Sequence, residues 1–456
     1  MKKSIVIVGG GISGLSVLHW LKKKYAAQTD IAVTLLEKND FAGGAILTQP
    51  DGGALFETGP NGFLGNQPRM FELIEDLDLK NSLTSAGEES ALRYICLHRR
   101  LYPFPLNLAQ FFSTALFTWT EKFRILNEFW VRKENVPNES VFKFIRRRFG
   151  QKAAHLIADP VLGGIYAGNI AQLHAATCLA RLTEYEQRRG SVLKGFLLSP
   201  SKKFKHSLYS FHEGMGKLVN TLAARYAPFI HTQETVTRIQ SNKAGYVLDT
   251  TQARYNADAV FVSVPAPAAA ALTQELSPPL ASALLKIEYA PLAVVGLLYS
   301  VSGLNPPPKG FGYLTPSLEN RNVLGVVFES NVFPGRAGPG EILFRVMMGG
   351  AHHPFLIKRS APELIALAQE ELLQTLGTRS LPLKTFFAVW PQAIPQYNLM
   401  YPELKSKILE ASGGLAQFYL VANYLNGVSL NDCVHNARLA VDKLKLQWMV
   451  ATPEAF

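Results

Sequence analysis

Three glycines near the start of the chain have the spacing of a phosphate-binding loop. Gly9, Gly11 and Gly14 form a G-x-G-x-x-G sequence. In such a loop the first glycine permits a tight turn, the second lets the backbone approach a pyrophosphate, and the third lets a helix pack closely on a strand. Glu37 follows where an acid accepts the ribose hydroxyls. The spacing predicts dinucleotide binding. Glu37 disfavours NADP because it would repel a 2′-phosphate, whereas FAD and NAD both remain open.

The elements that must position these glycines are those of a βαβ unit. Residues 4–8 predict a buried strand, residues 15–21 a helix, and residues 31–36 a second strand that ends at Glu37. The start of the helix would offer unpaired N–H groups and a positive dipole end to the phosphates.

Positive charge is concentrated in one part of the chain. The 456 residues carry 46 Lys and Arg against 35 Asp and Glu, a net charge of +11. Residues 90–205 alone hold 19 Lys and Arg against 7 Asp and Glu. The remainder is therefore close to neutral, and this segment predicts a surface with an anionic partner.

Cysteine usage and apolar runs indicate the compartment. The chain has three cysteines, an odd number, and they lie far apart at Cys96, Cys178 and Cys433. This pattern predicts neither a disulfide framework nor a thiolate zinc site. We expect a reduced, cytosolic setting. The apolar run after Met-Lys-Lys breaks at glycine after five residues, so it predicts a strand rather than a signal peptide. No apolar run is long enough to predict a transmembrane helix.

The basic segment is also rich in aromatic residues. Within residues 101–133, apolar side chains recur at helical steps at Phe112, Leu116, Trp119, Phe123, Leu126 and Trp130. Residues 141–149 predict a second amphipathic helix, which ends in Arg146, Arg147 and Arg148. These helices suit either a membrane interface or a core with a solvated basic face, and both stay open. Lipid headgroups fit the three arginines better than nucleic acid, for which no recognition motif is present.

The rest of the chain alternates strands and helices. We predict strands over residues 235–239, 245–250, 256–264, 292–300, 310–315, 323–329, 342–349 and 418–422. We predict helices from residue 217, over 362–376 and over 430–450. The strands between 290 and 350 suggest an antiparallel sheet that covers a ligand.

Several stretches, in this order, resemble one family. They are GGGISGL at 9–15, FETGPNGF at 56–63, GGIYAGN at 163–169, SFHEGM at 210–215, GFGYL at 310–314, VLGVVFESNVFPGR at 323–336, WPQAIPQY at 390–397 and ANYLNGVSLNDC at 422–433. Together they resemble the oxygen-dependent protoporphyrinogen oxidase family, FAD-containing members of the amine-oxidase superfamily. The likeness spans nearly the whole chain.

The resemblance implies a fold class and a domain organisation. The fold would be α/β with α+β inserts: a glutathione-reductase-like FAD-binding Rossmann domain, an antiparallel-sheet substrate domain and a mostly helical membrane-binding insert. The FAD-binding domain would comprise residues 1–89, 206–285 and 401–456. The insert would comprise residues 90–205, and the substrate domain residues 286–400.

The resemblance also implies the site residues. FAD would contact Gly9, Gly10, Gly11, Ile12, Ser13, Gly14, Glu37, Lys38, Ala45, Gly59, Pro60, Asn61, Gly62, Val236, Ala422, Val428, Ser429 and Leu430. The porphyrinogen pocket would use Gly164, Leu297, Leu314 and Phe333, since a flat macrocycle needs apolar or backbone groups. Many family members carry an arginine where this chain has Phe41, and a basic residue near a substrate propionate where it has Asn61.

The implied activity is the six-electron oxidation of protoporphyrinogen IX by FAD, with oxygen as acceptor and hydrogen peroxide as product. The chemistry lies on the flavin, so we predict no catalytic side chain and no metal site. The same chemistry on coproporphyrinogen III is the nearest alternative. A flavin amine oxidase, a desaturase or a non-catalytic escort protein on this fold are weaker ones. We expect a cytoplasmic protein held on an anionic membrane surface at the inner face of the cell membrane, and a homodimer is compatible with the sequence.

Overall fold

A five-stranded parallel sheet organises the nucleotide-binding half of the molecule. The computed structural model describes residues 3–198, 207–304 and 306–444. In sheet order the strands are Ile230–His231, Ile31–Leu36, Lys3–Val8, Ala259–Val262 and Phe418–Leu420. The predicted βαβ unit is confirmed, because helix Ile12–Lys24 joins the strands that start at Lys3 and Ile31, and these pair in parallel.

Alternate side chains of the first strand enter two different cores. Ile5 and Ile7 pack with the first helix, and Val6 and Val8 pack on the opposite face of the sheet. Both faces are therefore covered, as parallel sheets require.

The single strand predicted over residues 256–264 is two strands. Arg254–Ala257 joins an antiparallel sheet with Val236–Asn242 and Gly245–Thr250, whereas Ala259–Val262 joins the parallel sheet. Asp258 lies at the junction. Its carboxylate accepts hydrogen bonds from Lys3 Nζ at 2.9 Å and Ser4 N at 2.8 Å, which fixes the chain where it passes between the sheets.

The second large element is a seven-stranded sheet. In order its strands are Lys384–Pro395, Tyr289–Ser300, Glu341–Gly349, Val323–Phe328, Gly312–Leu314, Arg93–Leu97 and Arg100–Pro103. The antiparallel pairing predicted for the strands between residues 290 and 350 is confirmed. Arg93–Leu97, from outside that range, runs parallel to Gly312–Leu314. The sheet is mixed, and two of its strands come from the segment predicted to be mostly helical.

The two faces of this sheet have different neighbours. Leu297 pairs with Phe344, and both belong to the core that includes Leu364 and Leu372 of helix Ala361–Leu376. We call this the far face. The adjacent pair, Gly296 and Arg345, lies on the opposite face of the sheet. We call this the near face. The near face looks toward the glycine-rich loop at residues 59–62, because Arg345 donates a hydrogen bond to the Gly59 carbonyl.

Residues 101–133 do not form a continuous helix. They contain the helices Leu108–Ser113 and Trp119–Leu126, followed by a 3₁₀ turn at Asn127–Trp130. The second helix restarts at Thr118, whose side chain accepts from Glu121 N while the Glu121 carboxylate accepts from Thr118 N. This capping box explains the break. In the break Leu116 is buried, whereas the aromatic side chains on the helices are largely exposed.

The predicted helix Val141–Phe149 is confirmed, but its arginines do not form a free basic face. Arg148 is fully buried and ion-paired with Glu128. Arg147 donates to Glu186 at 2.6 Å and to Glu139 at 2.9 Å. Only Arg146 is exposed. The expectation that all three meet lipid headgroups is therefore wrong for Arg147 and Arg148.

The remaining elements connect these sheets. The other strands are Thr48–Asp51, Ala54–Glu57, Phe63–Leu64, Leu83–Ser85 and Leu208–Phe211. The other helices are Pro68–Asp76, Gln151–Ala153, a π-helical turn at Ala154–Ala158, Asp159–Tyr166, Ala175–Cys178, Ala180–Arg189, Val192–Leu198, Gly216–Arg225, Ala266–Thr273, Pro278–Leu284, Glu329–Val332, Tyr401–Gly413 and Leu430–Lys443. Part of the last predicted helix, residues 445–450, lies outside the described residues. Within those residues, no helix combines the length and apolar character needed to cross a membrane. The domain boundaries stay a prediction.

Candidate active site

The first and third glycines of the loop are required by close packing. Gly9 has φ +102°, a backbone conformation that side chains disfavour. A Cβ on Gly14 would overlap the Gly9 carbonyl oxygen. The Ser263 hydroxyl donates to that same carbonyl at 2.8 Å and fixes the turn from a neighbouring strand. The loop therefore brings the first helix as close to the sheet as a backbone allows.

The middle glycine faces open space instead. A Cβ on Gly11 would meet no atom within 4 Å. Gly11 is the N-cap of helix Ile12–Lys24, which has no acidic residue in its first turn and no side-chain cap. The positive end of the helix thus faces open space at Gly11, a cradle that suits the pyrophosphate of a dinucleotide.

Glu37 lies beside this cradle with acceptor capacity to spare. It is 6% exposed. Gly10 N donates to its Oε2 at 2.6 Å, and Asn39 N donates to Oε1 at 2.9 Å. Each carboxylate oxygen keeps a lone pair for a ribose hydroxyl. Val236 is buried in the same cluster as Val8 and Leu36, at the ends of the strands that carry the loop.

Two neighbours of Glu37 face solvent. Lys38 is exposed, and Phe41 is 42% exposed.

A series of close backbone approaches leads from the cradle to the near face. A Cβ on Gly44 would lie 3.1 Å from Gly11 Cα, and one on Gly59 would overlap the Ala45 carbonyl. A Cβ on Gly62 would lie 3.1 Å from the Phe333 ring. The structure thus connects predicted FAD contacts from three separate loops by a series of close approaches. The last of these approaches reaches Phe333, a predicted substrate residue.

Side chains of the large sheet hold the loop at residues 59–62. Trp390 Nε1 donates to the Thr58 carbonyl at 2.8 Å, and Arg345 donates to the Gly59 carbonyl. Pro60 and Asn61 are partly exposed. Burial lowers the pKa of the Arg345 guanidinium, and the nearby Glu329 opposes that change.

The tail reaches the same region beside the first helix. Helix Leu430–Lys443, the tail helix, packs parallel to it: Trp20 Nε1 donates to the Val434 carbonyl at 3.4 Å, and Lys24 Nζ donates to the Val441 carbonyl at 2.9 Å. Burial raises the pKa of the Cys433 thiol to about 11, and the hydroxyl of Ser13 opposes the rise. Both helices therefore begin at the same edge of the sheet.

The N-terminus of the tail helix differs from that of the first helix. Ser429 is its N-cap, and Asp432 accepts from both the Ser429 N–H at 3.1 Å and the Ser429 hydroxyl at 2.6 Å. The Asp432 carboxylate already lies at the positive end of the tail helix. This helix N-terminus is therefore less suited than that of the first helix to bind an anion.

The loop before the tail helix is set by Tyr397. Its hydroxyl accepts from Gly427 N at 2.9 Å and donates to the Asn423 carbonyl. Ala422, Val428 and Leu430 are partly buried around this loop. The IPQY and NYLNG stretches are thus spatial partners.

Three of the four predicted substrate residues lie on the near side of the large sheet. A Cβ on Gly164 would lie 3.0 Å from Leu314, so these two are in contact. Phe333 is fully buried against Gly62. Leu297 is also fully buried, but it lies on the far face with the residues that pack on helix Ala361–Leu376. The structure does not bring Leu297 to the site.

Sequence reasoning missed Arg93, Glu329 and Arg345, which add charge to the near side. Arg93 lies two positions from Ile95 in the same strand and therefore on the same face as Ile95 and Leu97, which pack in the near-side apolar cluster of Leu314. Glu329 is 1% exposed and lies 3.8 Å from Arg345. A lone arginine within the apolar strand EILFRVMMG was the one available signal.

The fold and the site together define a dinucleotide-binding protein whose glycine loop lies beside a large mixed sheet. A family model described as "Flavin containing amine oxidoreductase" matches residues 12–445. The chain belongs to this family and uses FAD, which the cradle at Gly11 and the remaining acceptor capacity of Glu37 fit.

Named relatives cover almost the whole chain. "Protoporphyrinogen oxidase 1, chloroplastic" of Arabidopsis thaliana is 29% identical over 95% of this chain and 86% of its own length. "Coproporphyrinogen III oxidase" of Bacillus subtilis is 25% identical over 96% of this chain and 97% of its own length. A putrescine oxidase crystal structure matches with a TM-score of 0.72 at 14% identity, covering 97% of this chain and 98% of the other, which shows a shared fold.

Proposed function

We propose that this protein oxidises a porphyrinogen, with protoporphyrinogen IX as the main substrate, in heme biosynthesis. The observation that carries the proposal is the series of close contacts from the FAD cradle at Gly11, through the loop at residues 59–62, to the buried ring of Phe333. Relatives named protoporphyrinogen oxidase align over 95% and 96% of this chain.

The chemistry asks little of side chains. When bound, FAD would supply a two-electron hydride acceptor that oxygen reoxidises, so three such oxidations would remove six hydrogens from the macrocycle and yield three molecules of hydrogen peroxide. The chain would orient the two reactants: Gly11 would let the cofactor approach the backbone, and Gly164 and Leu314, which are in contact, would contribute to an apolar wall. Apolar walls also exclude water from the reacting carbon.

A propionate of the substrate has a fitting partner in Arg93. Its guanidinium stacks on the Phe311 ring at 4.9 Å, on the near side of the sheet. Among the described residues, no carboxylate lies within salt-bridge distance of Arg93. A stacked guanidinium without an acidic partner is suited to bind a carboxylate in a bidentate manner.

Replacing Arg93 with alanine is expected to raise KM for the porphyrinogen about tenfold or more, because a charge-assisted hydrogen bond is lost. Steady-state kinetics of the purified enzyme measure this, and Arg93→Lys should recover part of the loss. Arg188→Ala, in an exposed pair with Glu184, is the control. Equal KM values for Arg93→Ala and the control would contradict this role.

The four-propionate substrate coproporphyrinogen III is the second candidate, and the Bacillus subtilis relative supports it. Turnover of both porphyrinogens by the purified protein, followed by porphyrin fluorescence, tests the proposed function. We expect a higher kcat/KM for protoporphyrinogen IX. A preference for coproporphyrinogen III would replace the main substrate, and no turnover of either would refute the function.

Exposed aromatic residues support contact with a lipid surface. Trp119, Phe123 and Trp130 are 61%, 66% and 76% exposed, and they lie in the basic segment. In the same segment, an open cavity of about 620 Å³ lies between helix Leu108–Ser113 and the strand Arg100–Pro103. Aromatic rings beside cations suit an anionic interface. The insert would then act as a membrane-binding element on a glutathione-reductase-like core, at the cytoplasmic face of the cell membrane, and the cavity would admit a poorly soluble substrate.

The double variant Trp119→Ser, Phe123→Ser is expected to lose most of its binding to anionic vesicles. Flotation with phosphatidylglycerol-containing and purely phosphatidylcholine vesicles measures this. The control is Leu381→Ser, since Leu381 is 83% exposed but lies outside the segment. Equal flotation of the wild type with both vesicle types would contradict electrostatic docking.

A further inference from the structure

A buried carboxylate determines how Asn61 is oriented. The Asn61 side-chain nitrogen lies 3.1 Å from Glu329 Oε1 and 3.3 Å from Oε2. Glu329 is 1% exposed, and Arg345 Nη1 lies 3.8 Å from its Oε1. The opposite charge of Arg345 offsets part of the cost of burying this carboxylate. Arg345 in turn donates to the Gly59 carbonyl, two residues before Asn61.

The direction of the Asn61 amide follows from hydrogen-bond chemistry. An ionised carboxylate only accepts, so the amide NH₂ of Asn61 has to face Glu329. The amide oxygen then points away from Glu329. Asn61 is partly exposed, and it lies in the loop between the cofactor path and Phe333. The oxygen is therefore available as an acceptor at the place where cofactor and substrate meet.

A porphyrinogen presents complementary groups. Its four pyrrole rings each carry an N–H donor, and none of the ring nitrogens is a good acceptor. A cation at position 61 could bind a propionate but could not accept from these N–H groups. The oxidised porphyrin keeps only two N–H groups, so an acceptor at this position favours substrate over product.

We infer that Asn61 accepts a hydrogen bond from a pyrrole N–H, and that Glu329 and Arg345 are positioning residues that hold its amide in this orientation. This inference rests on the proposed function, because it names the substrate group that the site reads. It also accounts for a buried ion pair on the near face that the flavin chemistry does not use.

A double-mutant cycle on the flavin-loaded enzyme tests the inference. Asn61→Leu is expected to raise KM for protoporphyrinogen IX about tenfold, the upper range for one neutral hydrogen bond, with a smaller change in product affinity measured by fluorescence quenching. Glu329→Gln lets the amide turn, so it should raise KM by a smaller factor. If Glu329 acts through Asn61, the double variant will match Asn61→Leu alone.

The matched control is Glu371→Gln. Glu371 is also a buried carboxylate paired with an arginine, Arg321, but it belongs to the far side of the same sheet, where Tyr313 donates to it at 2.6 Å. The factor by which Glu371→Gln changes KM should multiply with the factor caused by Asn61→Leu, because the two residues act independently. Multiplicative effects of Glu329→Gln and Asn61→Leu would overturn the inference while the proposed function stands.

Two further outcomes keep the test decisive. If Glu329→Gln fails to fold, Asn61→Leu alone decides, since an unchanged KM for the porphyrinogen overturns the inference. If the wild-type enzyme turns over neither porphyrinogen, both the inference and the proposed function fall.

Discussion

Replacing Gly11 with alanine is expected to give a folded protein that purifies without FAD. The new Cβ meets no protein atom within 4 Å, and the backbone at Gly11, with φ −70°, suits alanine. The methyl group instead enters the cradle at the positive end of the first helix. The fold is therefore unaffected, whereas the close approach of a pyrophosphate is blocked.

The visible spectrum and thermal unfolding measure this effect together. Wild-type apoprotein should unfold at a higher temperature when FAD is added, because a ligand that binds only the folded state stabilises it. The Gly11→Ala variant should match the apoprotein without FAD and show no such rise. Gly413→Ala is the matched control, since a Cβ there also meets no atom within 4 Å. A yellow Gly11→Ala protein with a full flavin content would show that the cradle lies elsewhere.

Replacing Arg148 with methionine is expected to lower the free energy of unfolding by about 3–5 kcal/mol, the range for breaking a buried ion pair. Arg148 and Glu128 are both 0% exposed. Glu128 also accepts from the Ser191 hydroxyl at 2.5 Å and from Val192 N at 2.8 Å. Without the arginine, a carboxylate that ties two helices together stays buried with no opposite charge.

Denaturant unfolding of the holoenzyme measures the loss. The control is Arg188→Met, which breaks an exposed pair with Glu184 and should cost at most about 1 kcal/mol. Arg148→Met combined with Glu128→Leu should be more stable than Arg148→Met alone, since it removes the unpaired charge. Equal stabilities of Arg148→Met and Arg188→Met would contradict the structural role of this arginine and would reopen a headgroup role.

Local signals in the sequence were sufficient to predict the βαβ unit that carries the glycine loop. The glycine spacing, the buried strand before it and Glu37 lie within one βαβ unit, so their geometry follows from backbone sterics over short distances. The break in residues 101–133 was also readable, because Thr118 and Glu121 have the spacing of a capping box. The helical period alone does not reveal this break, because apolar residues continue at steps of three or four through it.

The substrate half depended on pairings that no local pattern reveals. Leu297 and Gly296 are neighbours, yet strand alternation places them on opposite faces, and one register position decides which of them meets the site. Arg93 reaches the near side only because its strand joins the sheet beside Gly312–Leu314. Glu329 meets Asn61 across 268 positions of the chain. These contacts follow from the topology of the mixed sheet, which the sequence pattern did not specify.

Porphyrinogens are expected to deliver their hydrogens to the FAD of this chain. Anaerobic mixing of the flavin-loaded protein with protoporphyrinogen IX, with coproporphyrinogen III and with putrescine tests it most directly. We predict that protoporphyrinogen IX bleaches the visible flavin band fastest, with porphyrin fluorescence appearing on admission of oxygen, and that putrescine leaves the band unchanged. A band that putrescine bleaches and that both porphyrinogens leave intact would contradict the account.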